Sequence, residues 1–498
     1  MSRLTGRALA GRAREGDVSY RLGVSTEALV PEALPASVAP SRGRELFGHP
    51  IGLYVLFLTE MWERFCYYGM RALLTLYVWK HLTQPEVAQT VIAYGPVRSV
   101  IEFFYGPQSD KQLAYQVYGA YTALTYLTPL VGGILADRWL GQRKSVVVGA
   151  VIMTVGEFML MSDRLFYPGL VVLMAGNGFF KSNISTQVGN LYPAGDERRD
   201  RAFNIFYVGI NLGAFLSPFV CGTLGEKVGW SWGFGSAAVG MIVALVVYLW
   251  GQKYLASDQI MQKSAAVGPK EKAPFTRSEW ARIVALVVLC ALNVSFWGVY
   301  EQQGNSLQVW ADSSSERHVL RFIGSEWEMP STWFQSVNPM FIFLCTPFIN
   351  VLWERQARNK TEPSSVAKMA IGCFLLGVSF LVMIGAARKV EAGGLASMWW
   401  LVGCSFLLTV GEIYLSPVGL SLVTKISPVR IVSMMMGMWF LSSFFGNYMS
   451  GVLATFDEKM SRTGFFVMLA AISLLTGVLM IVLYRPLSRA IGDENAKA

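Results

Sequence analysis

The stretch Glu60-Met61-Trp62-Glu63-Arg64 decides how this chain is read, because it sets three ionisable side chains inside an apolar run. From Ile51 to Trp79 the residues are otherwise mostly Leu, Tyr, Phe, Val, Met and Gly, long enough for a helix that crosses a bilayer. A charged side chain at the bilayer centre costs roughly 2.5–3.5 kcal/mol on insertion scales, so such a cluster requires compensation. At helical spacing positions 60, 63 and 64 share one face, which lets Arg64 reach both carboxylates. Ionised, the trio carries one net negative charge, and a single bound proton neutralises it. A cluster of this kind can change partners as a proton comes and goes. The alternative is an ion network that only fastens neighbouring helices.

The rest of the chain extends that reading. Of 498 residues, 53% are hydrophobic and only 15% charged, too apolar an average for an ordinary soluble domain. The mean hydropathy of +0.41 and the long Gly-punctuated apolar runs indicate a polytopic, all-α membrane protein in contact with lipid. A net charge of +9 is unaccompanied by any aromatic-basic platform, and the Lys and Arg lie mostly in loops and tails. Cytoplasmic loop bias therefore explains the sign, and no nucleic-acid partner is implied. Cys66, Cys221, Cys290, Cys345, Cys373 and Cys404 all fall in apolar runs without ligand-like spacing and read as small buried hydrophobes. His49, His81 and His318 build no catalytic or metal constellation, and no cofactor is expected.

Twelve apolar segments are long enough to span, at about 51–79, 113–136, 145–162, 167–191, 203–225, 231–252, 279–301, 332–353, 367–387, 396–424, 430–455 and 463–485. Residues 1–45 are Arg-rich and Pro-dotted and read as a disordered cytoplasmic tail. Residues 46–252 then form a first six-helix bundle, 253–278 a charged cytoplasmic linker, 279–486 a second six-helix bundle and 487–498 a closing tail. Loops bearing Arg138/Arg143/Lys144, Arg198/Arg199/Arg201 and Arg355/Arg358/Lys360 are expected inside, so an even span number places both termini in the cytoplasm. The longest outward loop, about Lys80 to Gln112, is expected to carry a short surface helix.

After the second span comes Gly132-Gly133-Ile134-Leu135-Ala136-Asp137-Arg138-Trp139-Leu140-Gly141-Gln142-Arg143-Lys144. Its glycines permit close helix approach and a turn, and its Asp can cap a helix end or pair with Arg. The stretch resembles the loop motif of the major facilitator superfamily, whose fold is twelve transmembrane helices in two six-helix bundles around a central cavity. Three further stretches narrow the resemblance: Glu60 through Arg71 in the first span, Gly178-Phe179-Phe180-Lys181-Ser182-Asn183-Ile184-Ser185 in the fourth, and Phe206-Tyr207-Val208-Gly209-Ile210-Asn211-Leu212-Gly213 in the fifth. Together they are similar to signatures of the proton-coupled oligopeptide transporters, from about Ile51 to Pro486.

That resemblance implies symport of di- and tripeptides with protons across an inner cell membrane, by alternating access. Charge bookkeeping agrees with it. Arg64, Arg71 and Lys181 are buried cations in the first half, available for a peptide carboxylate, and Glu301 and Glu412 are buried acids in the second. A zwitterionic peptide would lie across the cleft, carboxylate toward Arg64 and Lys181, amine toward Glu412. By resemblance, Glu412 holds the amine with Asn211 and Asn338, and Glu301 with Arg71 forms a bridge between bundles that breaks on protonation. The Glu60/Glu63/Arg64 cluster would exchange partners with Lys181, while Tyr67, Tyr68, Tyr126 and Trp439 line the pocket, with Ser416 and Phe440 as weaker additions. Mammalian relatives carry His on the second span where Gly119 stands here, so coupling falls to Glu301, Glu60 and Glu63. The linker is too short for the two extra helices of many bacterial members, and Glu157 in the third span is given no role.

Three functional classes remain at this point. A peptide symporter uses both poles. A relative carrying small anions such as nitrate has no use for Glu412. A receptor would keep the binding set without the switch. An intramembrane enzyme fails on inventory, lacking a metal cluster, a nucleophile–base pair or a phosphate loop.

Overall fold

The computed structural model describes residues 45–193, 195–256, 275–319 and 323–491. The expected N-terminal tail up to residue 44, linker residues 257–274 and the last residues from 492 lie outside the described residues. Each of the twelve expected apolar segments coincides with a helix of 19 to 28 residues. These are α1 (Ile51–Tyr77), α2 (Asp110–Leu135), α3 (Gln142–Leu160), α4 (Phe166–Asn190), α5 (Arg198–Ser217), α6 (Trp230–Gly251), α7 (Arg277–Tyr300), α8 (Val337–Arg358), α9 (Ser365–Glu391), α10 (Trp399–Ile426), α11 (Val432–Ala454) and α12 (Arg462–Val482). Among the described residues, eight helices are long and apolar enough to cross a membrane by length and composition. α1 is not among them, for it carries Glu60, Glu63, Arg64 and Arg71.

Local chemistry starts several of these helices. The Ser109 hydroxyl accepts from Gln112 N and the Gln112 side chain accepts from Ser109 N, each at 3.1 Å, a reciprocal cap on α2. Thr276 and Glu279 do the same for α7. Ser364 and Ser461 cap α9 and α12. The surface of α12 shows which solvent the fold meets. Leu475, Val478, Leu479 and Val482 are exposed, at helical spacing, while Ser473, Thr476, Gly477 and Met480 are buried on the opposite side. An exposed apolar stripe over a buried face with small polar residues suits hydrocarbon surroundings.

Two hydrophobic cores organise the helices. The first runs through residues from Leu53 to Leu255 and the second from Ile283 to Leu487. In the first, α1 packs on α5 and α6, and α3 on α4; in the second, α9 packs on α10 and α12, and α7 on α11. The cores meet where α2 lies along α11. There the backbones of Gly119 and Gly451 touch, and a Cβ on Gly119 would stand 2.8 Å from Gly451 Cα.

The glycine-rich loop also behaves as its residue types suggest. A Cβ on Gly132 would lie 2.0 Å from the Gly178 carbonyl oxygen, so glycine is what lets α2 approach α4 there. Past α2, residues Ala136–Leu140 make a wide helical turn, and Arg143 donates to the Gln252 carbonyl at 2.7 Å, tying this loop to the end of α6. The long loop after α1 holds two helices instead of one, Pro85–Ala88 and Tyr94–Tyr105. The expected closing tail begins inside a further helix, Tyr484–Ile491.

Bonds between the cores gather at one end of the molecule. Arg71 of α1 pairs with Glu301 just after α7, Lys111 with Asp457, and Lys80 with Asp312. Tyr115 donates to Asp457 at 3.0 Å and Thr75 to the Gly304 carbonyl at 3.1 Å. This is the sealed end. The loops rich in Arg and Lys (136–144, 191–201 and 355–360) lie at the other, basic end.

Candidate functional site

α1 gathers its charged residues into a cluster. Arg64 Nε lies 3.1 Å from Glu60 Oε1, and the same guanidinium grips Glu63, with Nη2 donating to Oε1 at 2.7 Å. All three side chains are buried. The Arg64 guanidinium stands over the Tyr67 ring at 5.1 Å. Lys181, from α4, makes no ion pair among the described residues; its ammonium sits 4.6 Å above the Tyr126 ring. Thus Arg64 reaches both acids as the spacing predicts, and Lys181 rests on an aromatic face.

Two helical turns further along α1, Arg71 reaches across the seam. It pairs with Glu301 of the second core and donates from Nε to the Tyr118 hydroxyl at 2.6 Å. Tyr118 in turn donates to Glu301 Oε2 at 3.3 Å, closing a three-membered network. The expected Arg71–Glu301 pairing is present, with Tyr118 of α2 as a third member that sequence reasoning did not single out.

The second core contributes a different pole. Glu412 of α10 accepts from the Tyr300 hydroxyl and, at 3.2 Å, from the Asn338 amide. That amide also reaches Thr409 Oγ1 at 2.9 Å and the Tyr300 oxygen at 3.1 Å. Asn338 therefore sits with Glu412 as expected, whereas Asn211 donates to the Tyr207 carbonyl of its own helix at 3.0 Å. Tyr68 lies within electrostatic reach of Arg64, Arg71 and Glu412. The Tyr67 and Tyr68 rings meet edge-on at 5.2 Å. Trp439 is buried, its ring packed over Gly419 two turns beyond Glu412. Ser416 and Phe440 are half-buried nearby on α10 and α11.

Tyr300, which donates to the acid, and Thr409, which accepts from the Asn338 amide beside it, were missed from sequence. Their signal was position: Tyr300 immediately precedes Glu301, and Thr409 lies three residues before Glu412 on the same helix face. Glu157, left without a role, is buried in α3, and its Oε2 has no hydrogen-bond partner among the described residues. At the basic end, His49 Nδ1 meets the Tyr192 hydroxyl at 2.8 Å beside Arg198. Burial, then the charges of Arg198 and Arg201, push the His49 pKa below its ordinary value.

Helices in two cores, with compensated charges buried where the cores meet, define a multi-pass membrane transporter of the major facilitator type rather than an enzyme. The chain belongs to the POT family, whose model matches residues 143–276 and 276–471. It is 33% identical over 477 residues to the peptide transporter YePEPT of Yersinia enterocolitica, covering 82% of this chain and 88% of that one. It is 30% identical over 508 residues to a di-/tripeptide transporter of Lactococcus lactis subsp. cremoris, covering 90% and 98%. Among solved structures, a mutant of the peptide transporter POT in complex with alafosfalin superposes with a TM-score of 0.79 at 30% identity, over 91% of this chain and 98% of that one. A POT family transporter in complex with a thioalcohol-conjugated peptide gives 0.76 at 27% identity, over 89% and 98%.

Proposed function

We propose that this protein imports di- and tripeptides together with protons, by alternating access of the cleft between its two bundles. The observation that carries the reading is the pair of opposite poles: Arg64 and Lys181 in the first core, Glu412 in the second. A peptide's carboxylate meets the cations and its amine meets the acid. Both end groups are common to all short peptides, so fixed poles accept many sequences, and half-buried aromatic walls such as Tyr68 and Tyr126 tolerate varied side chains. The separation of the poles then limits peptide length. A carrier of anions alone would gain nothing from Glu412, and the names of the peptide-transporting relatives favour the same substrate class.

Proton coupling falls to the carboxylates. In this reading a proton on Glu60 or Glu63 loosens Arg64, which turns to the peptide carboxylate, while Lys181 leaves the Tyr126 ring to take up the remaining charge. Protonation of Glu301 releases Arg71 and lets the sealed end part. Tyr67, Asn211, Asn338, Ser416 and Trp439 complete the pocket in this assignment. The basic end faces the cytoplasm of an inner membrane, with both termini inside, so the arrangement described is the inward-facing one.

Uptake of labelled dialanine into proteoliposomes, with and without an inward proton gradient, tests the proposal. Accumulation that depends on the gradient is expected. Equal uptake with and without it would remove proton coupling, and no uptake by folded protein would remove the peptide substrate.

A further inference from the structure

Beyond the Arg71–Glu301, Lys111–Asp457 and Lys80–Asp312 pairs, the sealed end contains a further charged junction that neither the cluster motif nor the poles account for. After α5 the chain makes a wide helical turn, Pro218–Gly222, and then one short helix, Thr223–Lys227. Glu226 projects from that helix into the second core. Its Oε2 accepts from Ser331 N at 2.9 Å and its Oε1 from Thr332 N at 2.8 Å, with the Ser331 hydroxyl also donating to Oε1 at 3.2 Å. Ser331 and Thr332 open the helical turn that leads into α8, so one core's carboxylate binds the free amides at the start of the other core's helix.

A cation completes the junction. Arg317 Nη1 is 3.8 Å from Glu226 Oε2, and the same guanidinium pairs with Glu328 at 2.7 Å and Asp312 at 3.7 Å. Both side chains are nearly buried, at 7% and 10% exposure, so water competes poorly for these bonds. Shape agrees with charge. A Cβ on Gly222 would fall 2.0 Å from Thr332 Oγ1, so glycine is what admits the second core's turn. Trp333 Nε1 donates to Thr223 Oγ1 at 2.9 Å, and the Ser336 hydroxyl to the Phe215 carbonyl at 2.7 Å, along the same seam.

The geometry points to Glu226 as a clasp that holds the sealed end shut and sets the balance between the two orientations of the transporter. It differs from Glu301 in what it grips. Glu301 holds one arginine and one tyrosine, whereas Glu226 holds two backbone amides that no protonation elsewhere can withdraw. Opening this end therefore requires the Ser331–Thr332 turn to slide off Glu226, whatever the state of the Arg71–Glu301 pair. The clasp rests on the alternating-access reading and extends it to a residue on α5's far extension.

The test is a distance measurement across the seam. Spin labels are placed at Lys227→Cys and Glu326→Cys, both exposed, in protein with the half-buried Cys345 replaced by serine and reconstituted in liposomes. Pulsed electron resonance then compares Glu226→Gln with the parent. The variant is expected to raise the long-distance population roughly tenfold, the scale of one lost charge-assisted hydrogen bond. Ser331→Pro removes one of the two amide donors at a helix start that tolerates proline, and should shift the population in the same direction. An unchanged distribution in either variant, in protein that elutes and melts as the parent does, would overturn the clasp. The readout needs no substrate, so its failure would leave the peptide reading standing, and a failed uptake assay would leave the clasp standing.

Discussion

The two poles of the cleft are built on opposite plans. In the first core Arg64 is shared between Glu60 and Glu63, with Lys181 close by on an aromatic ring, so acids and cations balance within one cluster. In the second core Glu412 stands alone among neutral donors, Tyr300 and Asn338. Neutral donors orient a carboxylate without cancelling its charge, whereas a shared arginine cancels charge and offers alternative pairings. One pole is arranged to exchange partners and the other to wait for a cation. Under the proposed function, coupling belongs to the first pole and substrate capture to the second.

The comparison breaks most sharply at Glu60. Glu60→Gln is expected to abolish accumulation against a gradient while leaving exchange of labelled for unlabelled peptide across the membrane; undiminished uphill uptake would take Glu60 out of the coupling cluster. Next in size is Glu412→Gln. Loss of a charge pair in the cleft should weaken peptides with a free amine by roughly 30-fold, about 2 kcal/mol, and N-blocked peptides far less. Equal losses for both, measured as KM for uptake or as Kd by calorimetry, would show that Glu412 is not the amine's partner.

Tyr300→Phe sharpens the same contrast. Removing one neutral donor to Glu412 should raise KM for free-amine peptides about fivefold, near 1 kcal/mol, with the gradient dependence of uptake intact. A change in coupling instead would mean that the second pole also handles protons. The smallest effect lies away from both poles, at His49. Its pKa is lower folded than unfolded, so protonation favours the loosened state. Stability is then full above the unfolded value of about 6.5 and declines as pH falls below it toward the folded value. Melting curves between pH 7.5 and roughly 5 should show this decline in the parent and a weaker one in His49→Phe; identical slopes would remove His49 as its source.

Much of this architecture was legible in the chain because lipid is an intolerant solvent. Apolar runs must be helices there, and charges inside them stand out for the same reason. Arg64, Lys181, Glu301 and Glu412 were visible on those grounds, and the family's motifs attached partners to them. What stayed hidden is neutral or distant. The hydroxyls of Tyr118 and Tyr300 look, in sequence, like any aromatic that packs a helix. Glu226 sits at a span's end, where an acid is unremarked, and its partners Ser331 and Thr332 are more than a hundred residues away. Only the meeting of the cores reveals that they touch. Asn211 shows another side of this: its residue type suits the pocket, and one of its amide N–H groups is bonded to the Tyr207 carbonyl of its own helix.

In the proposed alternating access, the contact of Gly119 with Gly451 would serve as a fulcrum. Two backbones in contact leave no side-chain slack, so a tilt of one bundle is carried along α2, which bears Pro129 within that length. Leu135 lies sixteen residues beyond that point, roughly 24 Å at 1.5 Å per residue. A rotation of about 10° would swing it by some 4 Å, about the breadth of an extended peptide chain, given the ~4.8 Å spacing of neighbouring strands. On that reading the mouth of the cleft opens and shuts on a lever whose pivot moves hardly at all.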